Sequence, residues 1–141
     1  MQRKASAVWH GDLKSGKGTI STASGVLKET QYSFSTRFEN GVGTNPEELI
    51  AAAHAGCFAM AFSAELGKAG FTPSAIHATA TVTLDKTDAG WTVTESHLDM
   101  TAKIPGIDQA KFTEISNGAK AGCPISRLLN AKVTLNAKLE G

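Results

Sequence analysis

Cys57 and Cys123 are the only thiols in a chain of 141 residues. A thiolate is a strong nucleophile and two thiols can close into a disulfide, so the pair points to thiol or redox chemistry. Cys57 lies in the apolar run AAAHAGCFAMAF, and Cys123 lies in AGCPIS, one residue before a proline. The two stand 66 positions apart. His10, His54, His77 and His97 are scattered singly, and no CxxC, HxxxH or HExxH spacing is present. A metal site is therefore not expected.

Local physics treats the two sulfurs differently. On a helical wheel of about 100° per residue, Ile50, Ala53, Ala61 and Ala64 fall within about 40° of Cys57. That is a groove of small apolar side chains, suited to an apolar substrate. An ordinary core cysteine, inert and with a raised pKa, fits the same pattern. Cys57 also sits about ten residues into its helix, beyond reach of the helix dipole. Reactivity there needs a cation.

Arg37 is the best candidate, because its planar fork could hold a thiolate or a peroxide oxygen while pairing with Glu47. Glu47 falls about 80° from Cys57 and about 15 Å along the axis, whereas Glu48 falls about 180° away. The plainer readings are a surface arginine at a strand end and a charge at a helix start. Cys123 precedes Pro124 at an expected helix N-terminus, where a thiol pKa is lowered. Local physics alone thus names Cys123 the attacking thiol. His54, about 60° from Cys57, could serve as a base or simply as a structural residue.

These residues need elements to hold them. KASAVWHGDL and KGTIST read as short strands around the turn SGKG. QYSFSTRF alternates, with Tyr32, Phe34, Thr36 and Phe38 on one face, and places Arg37 near the end of a third strand. Thr44 or Asn45 can then cap a helix opened by Pro46 and ended by Gly70, about 24 residues long. Its middle is apolar all round, the pattern of a buried helix. A hairpin turning at Asp88-Ala89-Gly90 follows. Next come a helix capped by Asp108, with Ile107, Ala110, Phe112 and Ile115 inward, a short helix from Pro124, and a last strand, AKVTLNAKLE. The order βββ-α-ββ-α-α-β predicts one α+β domain over residues 1–141, with antiparallel-rich sheet packed on a long helix.

Lys and Arg number 14 and Asp and Glu 13, with no polybasic run. This argues against nucleic acid or an anionic membrane as the main partner. Met1 to Asp12 is polar, without a signal-peptide core. Leu49 to Ala64 reads as too short and too rich in Ala and Gly to span a membrane. A cytoplasmic setting is expected, where a cysteine pair is more often catalytic, redox-sensing or metal-binding than a structural disulfide.

TNPEELIAAAHAGCFAMA, the later AKAGCPIS and the upstream STRFE together resemble the OsmC/Ohr family of thiol-dependent peroxidases. The likeness covers nearly the whole chain, including WHGDLKSGKGTIST, and is closer to the osmotically inducible OsmC branch than to the organic hydroperoxide resistance branch. The resemblance implies an intertwined homodimer with two long central helices packed together. It assigns the peroxidatic role to Cys57 and the resolving role to Cys123, reversing the order that local physics prefers. Arg37 and Glu47 match the activating pair; Arg3 is the other early arginine.

The implied reaction reduces an organic hydroperoxide to an alcohol through a Cys57 sulfenic acid and a Cys57–Cys123 disulfide, recycled by a dithiol. Phe58, Met60, Phe62, Ile107 or Phe112 are expected to line the substrate pocket. A non-catalytic small-molecule binding or redox-sensing protein is the alternative.

Overall fold

The computed structural model describes residues 1–141, which fall into two compact units, Met1–Leu49 and Ile50–Gly141. In the first, β1 (Ala5–His10), β2 (Lys17–Thr22) and β3 (Thr30–Tyr32) form an antiparallel three-stranded sheet. Trp9, Gly18 and Tyr32 are in register across the three strands. A Cβ at Gly18 would strike both rings. Its absence lets Trp9 and Tyr32 approach to 5.4 Å between centroids.

The segment expected as a third strand through Phe38 divides in two. β3 stops at Tyr32, and Phe34–Phe38 forms a short helix, α1. Ser33 is its N-cap. The Ser33 hydroxyl accepts from the Thr36 backbone N–H, and the Thr36 hydroxyl accepts from the Ser33 backbone N–H at 2.8 Å. This reciprocal capping box outweighs the period-2 aromatic pattern. Phe34 and Phe38 pair along the helix with centroids 4.9 Å apart, a contact available to residues four apart on a helix. Arg37 thus lies in the last turn of a helix rather than at a strand end, and the order becomes βββ-αα-ββ-αα-β.

Helix α2 runs Pro46–Lys68, 23 residues. Asn45 caps it, its side-chain oxygen accepting from the Glu48 N–H at 2.8 Å. At the other end the Phe71 N–H bonds back to the Leu66 carbonyl, closing the helix around Gly70 as expected. Length and composition alone would let α2 cross a membrane, with a mean hydropathy of 1.5. One face of α2, carrying His54, Phe58, Phe62 and Leu66, is buried.

In the second unit, β4 (Ala75–Thr87) and β5 (Gly90–Lys103) form a hairpin across Asp88-Ala89. Helices α3 (Gln109–Gly122) and α4 (Pro124–Leu128) carry the chain back so that β6 (Lys132–Leu139) joins β5 in parallel. The other strand pairings are antiparallel, as expected, and this one parallel pair is made possible by the helical crossover.

Phe58, Phe62 and Leu66 of α2 meet Leu98, Met100 and Ala102 of β5 and Phe112, Ile115 and Ala119 of α3 in one core. Phe62 stacks on Phe58 at 6.1 Å and meets Phe112 edge-on at 5.8 Å. Two sequence expectations change here. Within α2 only His54, Phe58, Phe62 and Leu66 are buried. Ala53, Gly56, Met60, Ser63, Ala64 and Gly67, on the opposite side, are exposed. On α3, Ala110 is exposed and Ser116 and Ala119 complete the inner face, because that face follows from Phe112 at i, i+3, i+4 and i+7.

Candidate active site

Helices α2 and α3–α4 bring the two cysteines together. The Cys57 and Cys123 sulfurs are 3.0 Å apart, both as free thiols. Cys57 lies at the flank of the buried α2 stripe and is half-buried. Cys123 is wholly buried, at the junction where α3 ends and α4 begins. Its N–H bonds to the Ala119 carbonyl at 2.9 Å, which extends the α3 pattern by one residue.

Burial pushes the Cys57 thiol above its ordinary range, and the adjacent Cys123 adds to this. The backbone N–H of Ile125, in the first turn of α4, works in the opposite sense and favours the Cys57 thiolate. Cys123 is sealed in the core, and its side chain makes no capping bond to α4. The Ile125 amide could not be found from spacing, because it acts across the fold rather than along the chain.

His54 is fully buried between two hydroxyls. Its Nδ1 is 2.6 Å from Ser96 Oγ on β5, and its Nε2 is 2.8 Å from Ser126 Oγ on α4. Burial pushes its pKa down, so the neutral ring is favoured. Both ring nitrogens are engaged, and His54 is not free to act as a base for Cys57. The aromatic side chains expected in a pocket, Phe58, Phe62 and Phe112, are instead fully buried core, because their stacking leaves no space between them. Ile107 packs partly against this core, and Met60 is exposed.

In the N-terminal unit the expected charge pair is formed. The Arg37 Nη2 donates to Glu47 Oε1 at 2.6 Å, and Nε lies 3.2 Å from both carboxylate oxygens. Local structure aligns the two residues. Asn45 caps α2 through its oxygen and donates its side-chain N–H to the Thr36 carbonyl of α1 at 2.9 Å. The end of one helix is thereby tied to the start of the next. Glu48, one residue on, turns away to accept from the Thr44 hydroxyl at 2.8 Å. Arg3 sits at the N-terminal end and donates to the Gln2 carbonyl.

Arg37 also borders a groove of about 270 Å³ lined by Trp9, Leu13, Tyr32, Phe34 and Phe38. Its guanidinium stands 5.4 Å from the Phe38 ring centre. The sequence reading missed this groove, although Trp9, Tyr32, Phe34 and Phe38 supply four of the chain's nine aromatic side chains. No group of three or more His, Cys, Asp or Glu is placed to hold a metal ion.

The model of the OsmC-like protein family matches residues 38–138. Peroxiredoxin OsmC of Escherichia coli K12 is 54% identical over 140 residues, covering 99% of this chain and 98% of that protein. Organic hydroperoxide resistance protein OhrB of Bacillus subtilis is 27% identical, covering 87% and 89%. Among solved structures, an OsmC-like protein of unknown function from Vibrio cholerae superposes with a TM-score of 0.78 at 18% identity, covering 97% of this chain and 99% of that one. The crystal structure of OhrB from Bacillus subtilis gives 0.68 at 23% identity, covering 97% and 98%. These likenesses show the α+β fold. The chain belongs to the OsmC family and stands closer to its OsmC branch than to its Ohr branch.

Proposed function

We propose that this protein is a thiol peroxidase that reduces organic hydroperoxides, with Cys57 as peroxidatic and Cys123 as resolving cysteine. The observation that carries this reading is the 3.0 Å separation of two free thiols. The extent of the likeness to a named peroxiredoxin supports it. Cys57 thiolate attacks the terminal oxygen of ROOH, the O–O bond breaks, and the alkoxide leaves as ROH after taking a proton. The Cys57 sulfenic acid then condenses with the Cys123 thiol, forming the disulfide and releasing water. A dithiol returns both sulfurs to thiols by exchange.

Cys57 is half-buried and its thiol is held protonated by that burial, so it needs a cation. The Arg37–Glu47 pair fills this need in our reading, lowering the thiolate's energy and stabilising negative charge as the O–O bond breaks. The aromatic groove beside Arg37 suits a carbon-bearing leaving group better than water.

We read residues 1–141 as one functional domain working as a homodimer. The exposed apolar face of α2, with Met60 at its centre, is the surface that a second α2 would cover. A cytoplasmic setting fits thiols that must be returned to the reduced form.

Consumption of cumene hydroperoxide with a dithiol tests the reading. It is expected in the native protein and absent in Cys57→Ser; unimpaired turnover in Cys57→Ser overturns it. The raised Cys57 pKa also fits a non-catalytic binding or redox-sensing protein. A Cys57 thiol titrating above about 8.5, with no peroxide reaction, would favour that second reading.

A further inference from the structure

The buried His54 has a use that the reaction above leaves open. Its ring joins three elements of the C-terminal unit. The imidazole is carried by α2, three residues before Cys57. Nδ1 meets Ser96 on β5, and Nε2 meets Ser126 on α4, three residues after Cys123. His54 and Ser96 are wholly buried. A neutral imidazole has one donor and one acceptor nitrogen, so it can bridge two hydroxyls with no polar atom left over. Such a bridge is costly to break, because a buried polar group without a partner is strongly disfavoured.

The bridge bears on Cys123 because it holds α4 from beyond the junction with α3. Helix α4 is five residues long and none of them is fully buried. Ile125 packs partly against the core, and Leu128 is exposed. Cys123 immediately precedes α4, so the bridge to Ser126 adds to its burial and its N–H bond to Ala119 in placing the sulfur.

We propose that His54 is a positioning residue for disulfide closure: by anchoring Ser126 it holds α4, and with it the Cys123 thiol, against Cys57. This rests on the peroxidase reading. The step served is condensation of the Cys57 sulfenic acid with the Cys123 thiol. The S–O bond of Cys57 breaks, the S–S bond forms, and the hydroxyl leaves with the Cys123 proton as water. The two sulfurs must close from 3.0 Å to about 2.05 Å, and loss of about 1 Å of alignment can cost about a hundredfold in rate.

The test measures disulfide closure in two ways, after one equivalent of cumene hydroperoxide and after diamide, an oxidant of dithiols that needs no peroxidase activity. Ser126→Ala is the mild variant and should fold. Its sulfenic acid should live at least about tenfold longer, and closure by diamide should slow by a similar factor. His54→Gln, whose amide reaches the place of Nε2, should close faster than His54→Asn, whose amide reaches only the place of Nδ1. A purely structural role would slow neither step in folded protein and would not separate Gln from Asn.

Closure in Ser126→Ala within twofold of the native rate overturns the proposal. If native protein closes with diamide but not with hydroperoxide, the peroxidase reading fails, and the diamide rates still decide the role of His54.

Discussion

Arg37 and Glu47 face each other through a two-pronged ion pair, set by Asn45, which caps the helix carrying Glu47 and bonds the carbonyl of Thr36 beside Arg37. Arg37 is about a third exposed and Glu47 nearly buried, with side-chain exposures of 36% and 12%. The pair therefore contributes at most about 1 kcal/mol to stability. Its cost of loss should appear in chemistry instead. Arg37→Met is expected to slow the reaction of Cys57 with cumene hydroperoxide by about a hundredfold or more, and Glu47→Gln by about tenfold. Stopped-flow rates with thermal melts check this; unchanged rates with lowered melting would make the pair purely structural.

The position of Arg37 depends on the Ser33 capping box. Ser33→Ala removes the side-chain bond to the Thr36 N–H and should cost about 1 kcal/mol. Because α1 carries Arg37, peroxide reactivity should fall as well. Urea unfolding and initial rates measured on the same preparation test the two effects. A stability loss with undiminished reactivity would uncouple α1 from the site.

Phe62 stacks on Phe58 and meets Phe112 edge-on, so it sits at the centre of the core. Phe62→Ala is expected to cost about 3–5 kcal/mol. A loss below about 1 kcal/mol in urea unfolding would mean that α2 does not pack on β5 and α3 as described.

His54 gives a pH dependence whose sign can be worked out. Burial lowers its folded-state pKa below the ordinary value of about 6.5. The unfolded chain then binds the proton more readily, so protonation favours unfolding. The contribution to stability is complete above pH of about 6.5 and is lost as pH falls below that value towards the lowered folded pKa, at up to about 1.4 kcal/mol per pH unit. Unfolding at pH 7.5 and 5.5 should show a larger acid loss in native protein than in His54→Gln. Equal losses would assign the titration to another group.

Much of this was legible in the chain because local signals agreed. Asn45 and Pro46 opened α2, Gly70 ended it, and Asp108 capped α3, with the Lys111 N–H as donor. Residues 33–38 are ambiguous in the sequence because Phe34 and Phe38 satisfy a strand face and an i, i+4 helix pair equally. The Ser33–Thr36 box decides between them. The apolar composition of α2 hid which face is buried, since Ala and Gly occupy both. At the site, Cys57, Cys123, Arg37 and Glu47 could be picked out as residues. The environment of each sulfur could not, because Ile125, Ser96 and Ser126 reach Cys57 and His54 only through tertiary packing.

The most direct test is the fate of each sulfur after one equivalent of cumene hydroperoxide. In Cys123→Ser, a sulfenic acid should form rapidly and persist, trapped by dimedone and located by mass spectrometry at Cys57. In Cys57→Ser, neither peroxide loss nor a dimedone adduct is expected. A rapid adduct at Cys123 in Cys57→Ser would contradict the account and return the attacking role to the thiol that local physics first preferred.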